Sequence, residues 1–164
     1  MRVLVTGGTG YIGSTAVEIL LTQGFDISIL DDCSMGHADT VPAGVRFVQG
    51  SLLNVDEVAD ALKGCDAVMH FAGKSLVGES VEKPDLYHLV NVDGTGILLD
   101  QMRKQLITKI VFSSSAATYG EPKVVPILET SETNPTNPYG ATKLAIDHMI
   151  TAEAAAHGIS AASL

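Results

Sequence analysis

Basic residues are scarce, cysteines are few, and no apolar run approaches the length of a bilayer span. Each shortage removes a class of function. Ten lysines and arginines stand against nineteen aspartates and glutamates, a formal charge of −9. That balance argues against a nucleic-acid partner or an anionic membrane, and leaves any anionic substrate dependent on a local basic pocket. The two cysteines, Cys33 and Cys65, sit in unrelated places. They make neither a disulfide framework nor a metal spacing, so each reads as a packing or loop thiol in a reducing compartment. The histidines form no ligand set, and no metal is expected. The N-terminal strand lacks the basic start and cleavage site of a signal peptide, so a cytoplasmic location without a membrane partner is expected. Aromatics are 5% of the 164 residues against 46% apolar overall, which suits one aliphatic-cored α/β domain.

Apolar segments alternate between two periods along the chain. MRVLV, DISIL, RFVQG, CDAVMHFAG, KIVFSSS and ISAASL read as short buried strands. Between them lie helical patterns: Ile12, Ala16, Val17, Leu20 and Leu21; then Val55, Val58, Ala59 and Leu62 up to Gly64. A long helix is expected from Pro84 to about Gln105 on Leu86, Leu89, Val90, Ile97, Leu98 and Met102. A last one, at 136–157, carries Lys143, Leu144, Ala145, Met149 and Ile150 and is capped by Gly158. Strand alternating with helix implies a doubly wound parallel sheet of Rossmann type. Residues 33–44 and the four-proline stretch 120–138 read as loops, the second bordering the active site. VEKPD at 81–85 reads as a solvated helix start.

Two constellations carry chemistry. The first strand runs into a turn holding Gly7, Gly8, Gly10 and Gly13 before the first helix. Glycines 8, 10 and 13 fit G-x-G-x-x-G, and 7, 10 and 13 fit G-x-x-G-x-x-G; either lets the backbone approach a pyrophosphate at the positive end of the helix. The second strand ends at Asp31-Asp32, where such a fold places the acid that holds the adenosine ribose. Two carboxylates there repel a 2′-phosphate, which favours NAD over NADP.

The second constellation is Tyr139 and Lys143, four residues apart in PYGATK and downstream of Ser113-Ser114-Ser115. One helical turn places the phenol and the ammonium on one face, where the cation favours the phenolate and makes a base. A free phenol titrates near ~10, so a fixed neighbouring charge is what lets it act near neutral pH. Ser113 and Ser114 read as strand-end structure, with Ser113 turned away from the site. His70, ending an apolar strand, reads as a satisfied core histidine.

TGGTGYIG, HFAGKSLVGES, NVDGT, FSSSAATYG and NPYGATK, in that order, resemble the extended short-chain dehydrogenase/reductase family over the whole chain, most closely its branch that epimerises UDP-hexoses at C4. The resemblance implies transient oxidation of UDP-glucose or UDP-galactose to a 4-keto sugar with bound NAD, as in galactose metabolism. Tyr139 would remove the 4-hydroxyl proton, Lys143 would assist it and hold the nicotinamide ribose, and Ser115 would hydrogen-bond the same sugar oxygen. Dehydratase relatives follow that hydroxyl with Asp-Glu; here Ala116-Ala117 follow, which favours reversible oxidation alone.

By the same resemblance, Gly7, Gly10, Tyr11, Ile12 and Gly13 surround the pyrophosphate, Asp31 and Asp32 hold the ribose, and Phe71, Ala72, Gly73 and Asn91 lie beside the cofactor. Two positions depart from the pattern. Ser51, before Leu52, stands where relatives carry an adenine-contacting aspartate, and Ser75 occupies the place of a cofactor lysine, which puts Lys74 forward instead. A homodimer pairing the helices at 84–105 and 136–157 is also implied. Because the chain stops in a strand, residues 1–164 are expected to be an NAD-binding domain with the Ser/Tyr/Lys residues, the C-terminal substrate-binding part being absent and this piece alone inactive. The competing readings are a non-catalytic NAD(P)-binding sensor, an epimerase for N-acetylated sugars and a UDP-glucuronate decarboxylase.

Overall fold

A computed structural model describes residues 1–164. Six strands form one all-parallel sheet: β1 (Arg2–Thr6), β2 (Asp26–Asp31), β3 (Arg46–Gln49), β4 (Ala67–His70), β5 (Lys109–Phe112) and β6 (Ser160–Ser163), in the order β3-β2-β1-β4-β5-β6. This is the doubly wound arrangement expected from the sequence. β1 pairs Val5 with Ile29 on one side and with Met69 on the other. Its carboxyl end therefore sits at the sheet centre, where the winding direction reverses.

The helices are α1 (Tyr11–Thr22), α2 (Val55–Leu62), α3 (Val77–Glu82), α4 (Pro84–Tyr87), α5 (Gly94–Lys104) and α6 (Pro138–His157). Their ends follow from local chemistry. Asn54 caps α2 by accepting the Asp56 and Glu57 N–H groups, and those acids face the positive end of the helix dipole. In α6, Pro138 occupies the first turn, Asn137 accepts the Gly140 N–H at 2.8 Å, and Gly158 stops the helix at φ 68°. The larger core joins Leu4, Leu30, Val68, Ile110 and Phe112 to Leu62, Leu98, Met102, Ile146 and Ile150 of α2, α5 and α6. A smaller core packs Val17 of α1 on Val3, Val5, Ile27 and Ile29. Each fully buried leucine or isoleucine contributes about 1.5–3 kcal/mol by leaving water.

Three stretches differ from the sequence expectation. Residues expected as one helix from 84 to 105 form α4, then a wide π-helical segment at His88–Asp93, then α5. The residues turned inward before Leu98 are Tyr87, Asn91 and Thr95, while Leu89 faces solvent. VGESVE winds into the short helix α3, with exposed Val77 and Val81. The stretch after Tyr119 is irregular up to Pro138, as expected, but none of its residues lines the cleft described below. It braces α6 instead: Pro135 lies beside Gly140, and Asn134 O fills the space where Gly120 would carry a Cβ.

Candidate active site

β1 and β4 bring Thr6 and His70 side by side at the carboxyl edge of the sheet. At this reversal point the crossovers diverge and leave a crevice, the usual ligand position in open parallel sheets. Here it is a cleft of about 450 Å³.

Glycines make its floor possible. Gly7 has φ 71°, and a Cβ on it would lie 2.6 Å from Ala72 N; a Cβ on Gly13 would lie 2.0 Å from the Gly7 carbonyl oxygen. Gly7, Gly10, Tyr11, Ile12 and Gly13 all line the cleft. Gly8 instead packs on Ile29, so the pattern that faces the cleft is G-x-x-G-x-x-G. α1 starts with Gly10 as its cap, with no side-chain capping bond and no acid in its first turn. Its positive end therefore opens into the cleft as a place for an anion.

One end of the cleft carries Asp31 and Asp32. Asp31 is buried; its Oδ2 accepts the Thr9 N–H at 2.9 Å and its Oδ1 the Cys33 N–H at 2.8 Å. Asp32 is exposed and accepts the Ser34 N–H at 2.8 Å. Each carboxylate oxygen keeps further lone-pair capacity for a ligand hydroxyl. Ser51 and Leu52 close this end. The Ser51 N–H donates to Glu57 Oε2 at 2.8 Å, and its Oγ accepts the Leu53 N–H at 3.2 Å, leaving the hydroxyl proton for a ligand.

The opposite wall is the turn Phe71, Ala72, Gly73 and Lys74, all lining the cleft. Asn91 does not line it. Its Oδ1 accepts the Lys74 N–H at 2.7 Å, and its Nδ2 donates to Lys74 O at 3.0 Å and Thr142 Oγ1 at 3.1 Å. It stands behind the turn and clamps one peptide segment at both ends.

Tyr139 and Lys143 both enter the cleft from α6. The Lys143 ammonium lies 5.8 Å from the centre of the Tyr139 ring and 4.7 Å from that of Phe112, and donates to Ser113 O at 2.9 Å. Burial pushes this amine down to about 8, partly opposed by Asp147 one turn on. The cleft is thus lined by Ser113, contrary to the expectation that it turns away, because its carbonyl is what seats the lysine. Ser115 is half-buried outside the lining; its Oγ accepts the Ala117 N–H at 3.1 Å and caps the short turn Ala116–Tyr119. The chain offers that hydroxyl proton no acceptor. Ser114 donates to Asp147 at 2.6 Å, a structural tie between β5 and α6.

Sequence reasoning missed three residues of this wall. Tyr87 is fully buried; its hydroxyl accepts the Leu76 N–H at 3.0 Å and reaches Leu76 O at 2.8 Å and Glu79 Oε2 at 3.0 Å. Burial and then Glu79 hold this phenol above its usual range. Glu79 lines the cleft; Lys83 and then Tyr87 hold its carboxyl below the ordinary range. Ser80 accepts the Tyr139 N–H at 3.2 Å and so fixes the first turn of α6. VGES carried Glu79 and Ser80 in plain view, and PDLY carried Tyr87, but nothing in their spacing marks them as neighbours of Tyr139. The whole arrangement suits an extended ligand with an anionic middle, hydroxyls at one end and a reacting hydroxyl beside Tyr139.

The comparisons with known proteins agree with that geometry. The model of the NAD dependent epimerase/dehydratase family matches residues 3–164. The UDP-glucose 4-epimerase of Corynebacterium glutamicum is 52% identical over 164 residues, 100% of this chain and 50% of that protein. The structure of UDP-glucose 4-epimerase from Brucella ovis in complex with NAD superposes with a TM-score of 0.95 at 41% identity, covering 99% of this chain and 50% of that one. The Bifidobacterium longum UDP-glucose 4-epimerase in complex with NAD+ and UDP gives 0.93 at 34% identity, covering 99% and 52%. The chain spans about half the length of the curated relatives it matches.

Proposed function

The chain belongs to the NAD dependent epimerase/dehydratase family, and on that footing we propose that it is the NAD-binding and proton-transferring part of an enzyme that epimerises a UDP-hexose at C4. The observation that carries the reading is the meeting of Tyr139, Lys143 and the glycine turn in one cleft. The residues present fit a dinucleotide. The uncapped positive end of α1 suits a pyrophosphate, Asp31 and Asp32 suit ribose hydroxyls, and a Cβ at Gly7 or Gly13 would close the floor. Phe71, Ala72, Gly73 and Lys74 would form the second wall, and Ser51 and Leu52 the adenine end. NAD, when bound, supplies reversible hydride transfer at C4.

The chain's own residues manage the proton and the charge. Tyr139 is the general base for the sugar 4-hydroxyl, positioned through its backbone by Ser80. Lys143, seated on Ser113 O, presents positive charge to the phenol and to a ribose. Ser115 stands outside the lining of the cleft but keeps an unshared hydroxyl proton, which it would donate to the same sugar oxygen, so that a phenol and a serine stabilise one developing charge. A sensor that only reports on NAD has no use for a buried lysine beside a tyrosine, which weighs against the non-catalytic reading.

The reading extends to a cytoplasmic protein of galactose metabolism that works as a homodimer. In support of the dimer, α5 and α6 lie side by side, tied by Arg103 and Glu153, with small exposed Ala152, Ala155 and Ala156 available for close helix approach. No helix is long and apolar enough to cross a membrane.

The test is interconversion of UDP-galactose and UDP-glucose by the protein carrying this chain, without added reductant. Replacing Tyr139→Phe is expected to slow turnover by about 10²–10⁴-fold with NAD binding retained. Full activity of the variant would remove Tyr139 from its role; NAD binding with no turnover by the parent protein would point to another sugar substrate.

A further inference from the structure

A run of buried polar groups passes beneath the cleft, and its hydrogen bonds have only one consistent direction. Thr95 Oγ1 donates to Asn91 O at 2.5 Å, which spends its only proton. The contact of 2.9 Å between Thr95 Oγ1 and His70 Nε2 must then be donated by the imidazole, so the proton resides on Nε2. Nδ1 is left as an acceptor and takes the Thr6 hydroxyl at 2.7 Å. Thr6 Oγ1 in turn accepts the Ala72 N–H at 3.3 Å. On the far side, Asn91 holds the Lys74 peptide and donates to Thr142, whose hydroxyl donates to Tyr139 O at 2.7 Å.

Every hydroxyl in the run therefore uses its proton once, and the run joins the cofactor turn at Ala72 and Lys74 to the first turn of α6. His70 is 1% exposed and stacks on Phe112, the ring over which the Lys143 ammonium sits. Burial, then the Lys143 charge, hold its conjugate acid down to about 3, so the ring stays neutral.

We propose that His70, as the Nε2–H tautomer, is a positioning residue that locks the Phe71–Lys74 turn and the Tyr139 turn of α6 into one frame. The proposal rests on the dinucleotide reading of the cleft for its functional consequence, and on the proton count alone for its structural one. A merely apolar plug would fill the same volume and stack on Phe112, but could not carry the direction of the chain.

Two measurements on the intact chain test it. Long-range proton–nitrogen correlation on a histidine-labelled sample is expected to show His70 protonated at Nε2 and unprotonated at Nδ1, without titration between about pH 5 and 8. An Nδ1–H tautomer, or titration in that range, would overturn the assignment. In His70→Phe, which keeps the ring stack, amide exchange at Ala72, Lys74 and Thr142 is expected to accelerate together, and NAD affinity to fall roughly tenfold, about 1.4 kcal/mol. His70→Gln, able to donate and accept, should recover part of that loss. If His70→Phe does not fold, Thr95→Val removes the next link and takes the same readouts. Unchanged exchange in the variant that folds would overturn the proposal whether or not NAD binds. If the parent chain fails to bind NAD, the dinucleotide reading falls, and the exchange and tautomer results still decide the structural claim.

Discussion

Replacing Lys143→Met should make the protein more stable while removing a group that the proposed reaction needs. Burial holds the Lys143 amine at about 8 against an ordinary 10.5. At 1.36 kcal/mol per unit, that gap corresponds to about 3 kcal/mol of differential interaction. The folded value is the lower one, so between pH 8 and 10.5 the folded chain binds fewer protons than the unfolded chain. Stability therefore rises with pH across that window. The burial cost is fully present below it and gone above it.

Methionine keeps the length of the stem and its packing, but gives up the hydrogen bond to Ser113 O, a loss of about 1–2 kcal/mol. The net expectation is a gain of about 1–3 kcal/mol near pH 7, shrinking as the pH approaches about 10. Urea unfolding of both proteins at the two pH values reads this directly from the midpoints, provided the slopes match. A variant less stable than the parent near neutral pH would refute the reasoning, as would a gain that does not change with pH. A confirmed gain would identify Lys143 as a residue kept at the expense of stability, as expected at a working site.

Gly13→Ala should cost at least about 1–3 kcal/mol, because its Cβ would sit 2.0 Å from the Gly7 carbonyl oxygen. NAD titration should also show lost binding, and an unchanged melt would refute the close approach. Burial pushes the Cys65 thiol up to about 11, while Cys33 is only half-buried. A disulfide reagent is therefore expected to modify Cys33 alone in the native protein and Cys65 only on unfolding. Mass mapping that finds Cys65 labelled first would contradict the packing described for it.

The strands were legible because each is a short apolar run bounded by turn residues, as in DISILD and KIVF. The turn after β1 was legible because Gly7 and Gly13 are demanded by backbone approach, which leaves a mark in sequence. Between residues 84 and 95 the apolar pattern misled: the inward stripe is Tyr87, Asn91 and Thr95, and hydrophobic periodicity has no register for buried hydrogen-bonding groups. Ser113 was misplaced for a similar reason, since the atom that seats Lys143 is its carbonyl, which every residue possesses. The loop after Tyr119 was expected at the cleft from its prolines, yet its contacts are with Gly120 and Gly140, a packing relation that no spacing announces. Ser51 retains a place in the cleft despite its departure from the family pattern, because its backbone and hydroxyl are held by Glu57 and Leu53.

The wide segment at His88–Asp93 works as a phase shifter between two helices. An α-helix advances about 100° per residue, so a turn that absorbs one extra residue shifts by that angle the sequence phase of everything beyond it. Here the rotation lets Tyr87 face Leu76 and Glu79 while Asn91 and Thr95 face the Lys74 peptide and His70. An uninterrupted helix would set Thr95 about 80° round from Tyr87, and the wide segment brings the two back onto one stripe. Deleting one residue from this segment would therefore let it close to ordinary α geometry with both faces still aimed, whereas inserting one between Gly94 and Thr95 would turn Thr95 and Leu98 about 100° away, a defect invisible to any measure of helix content.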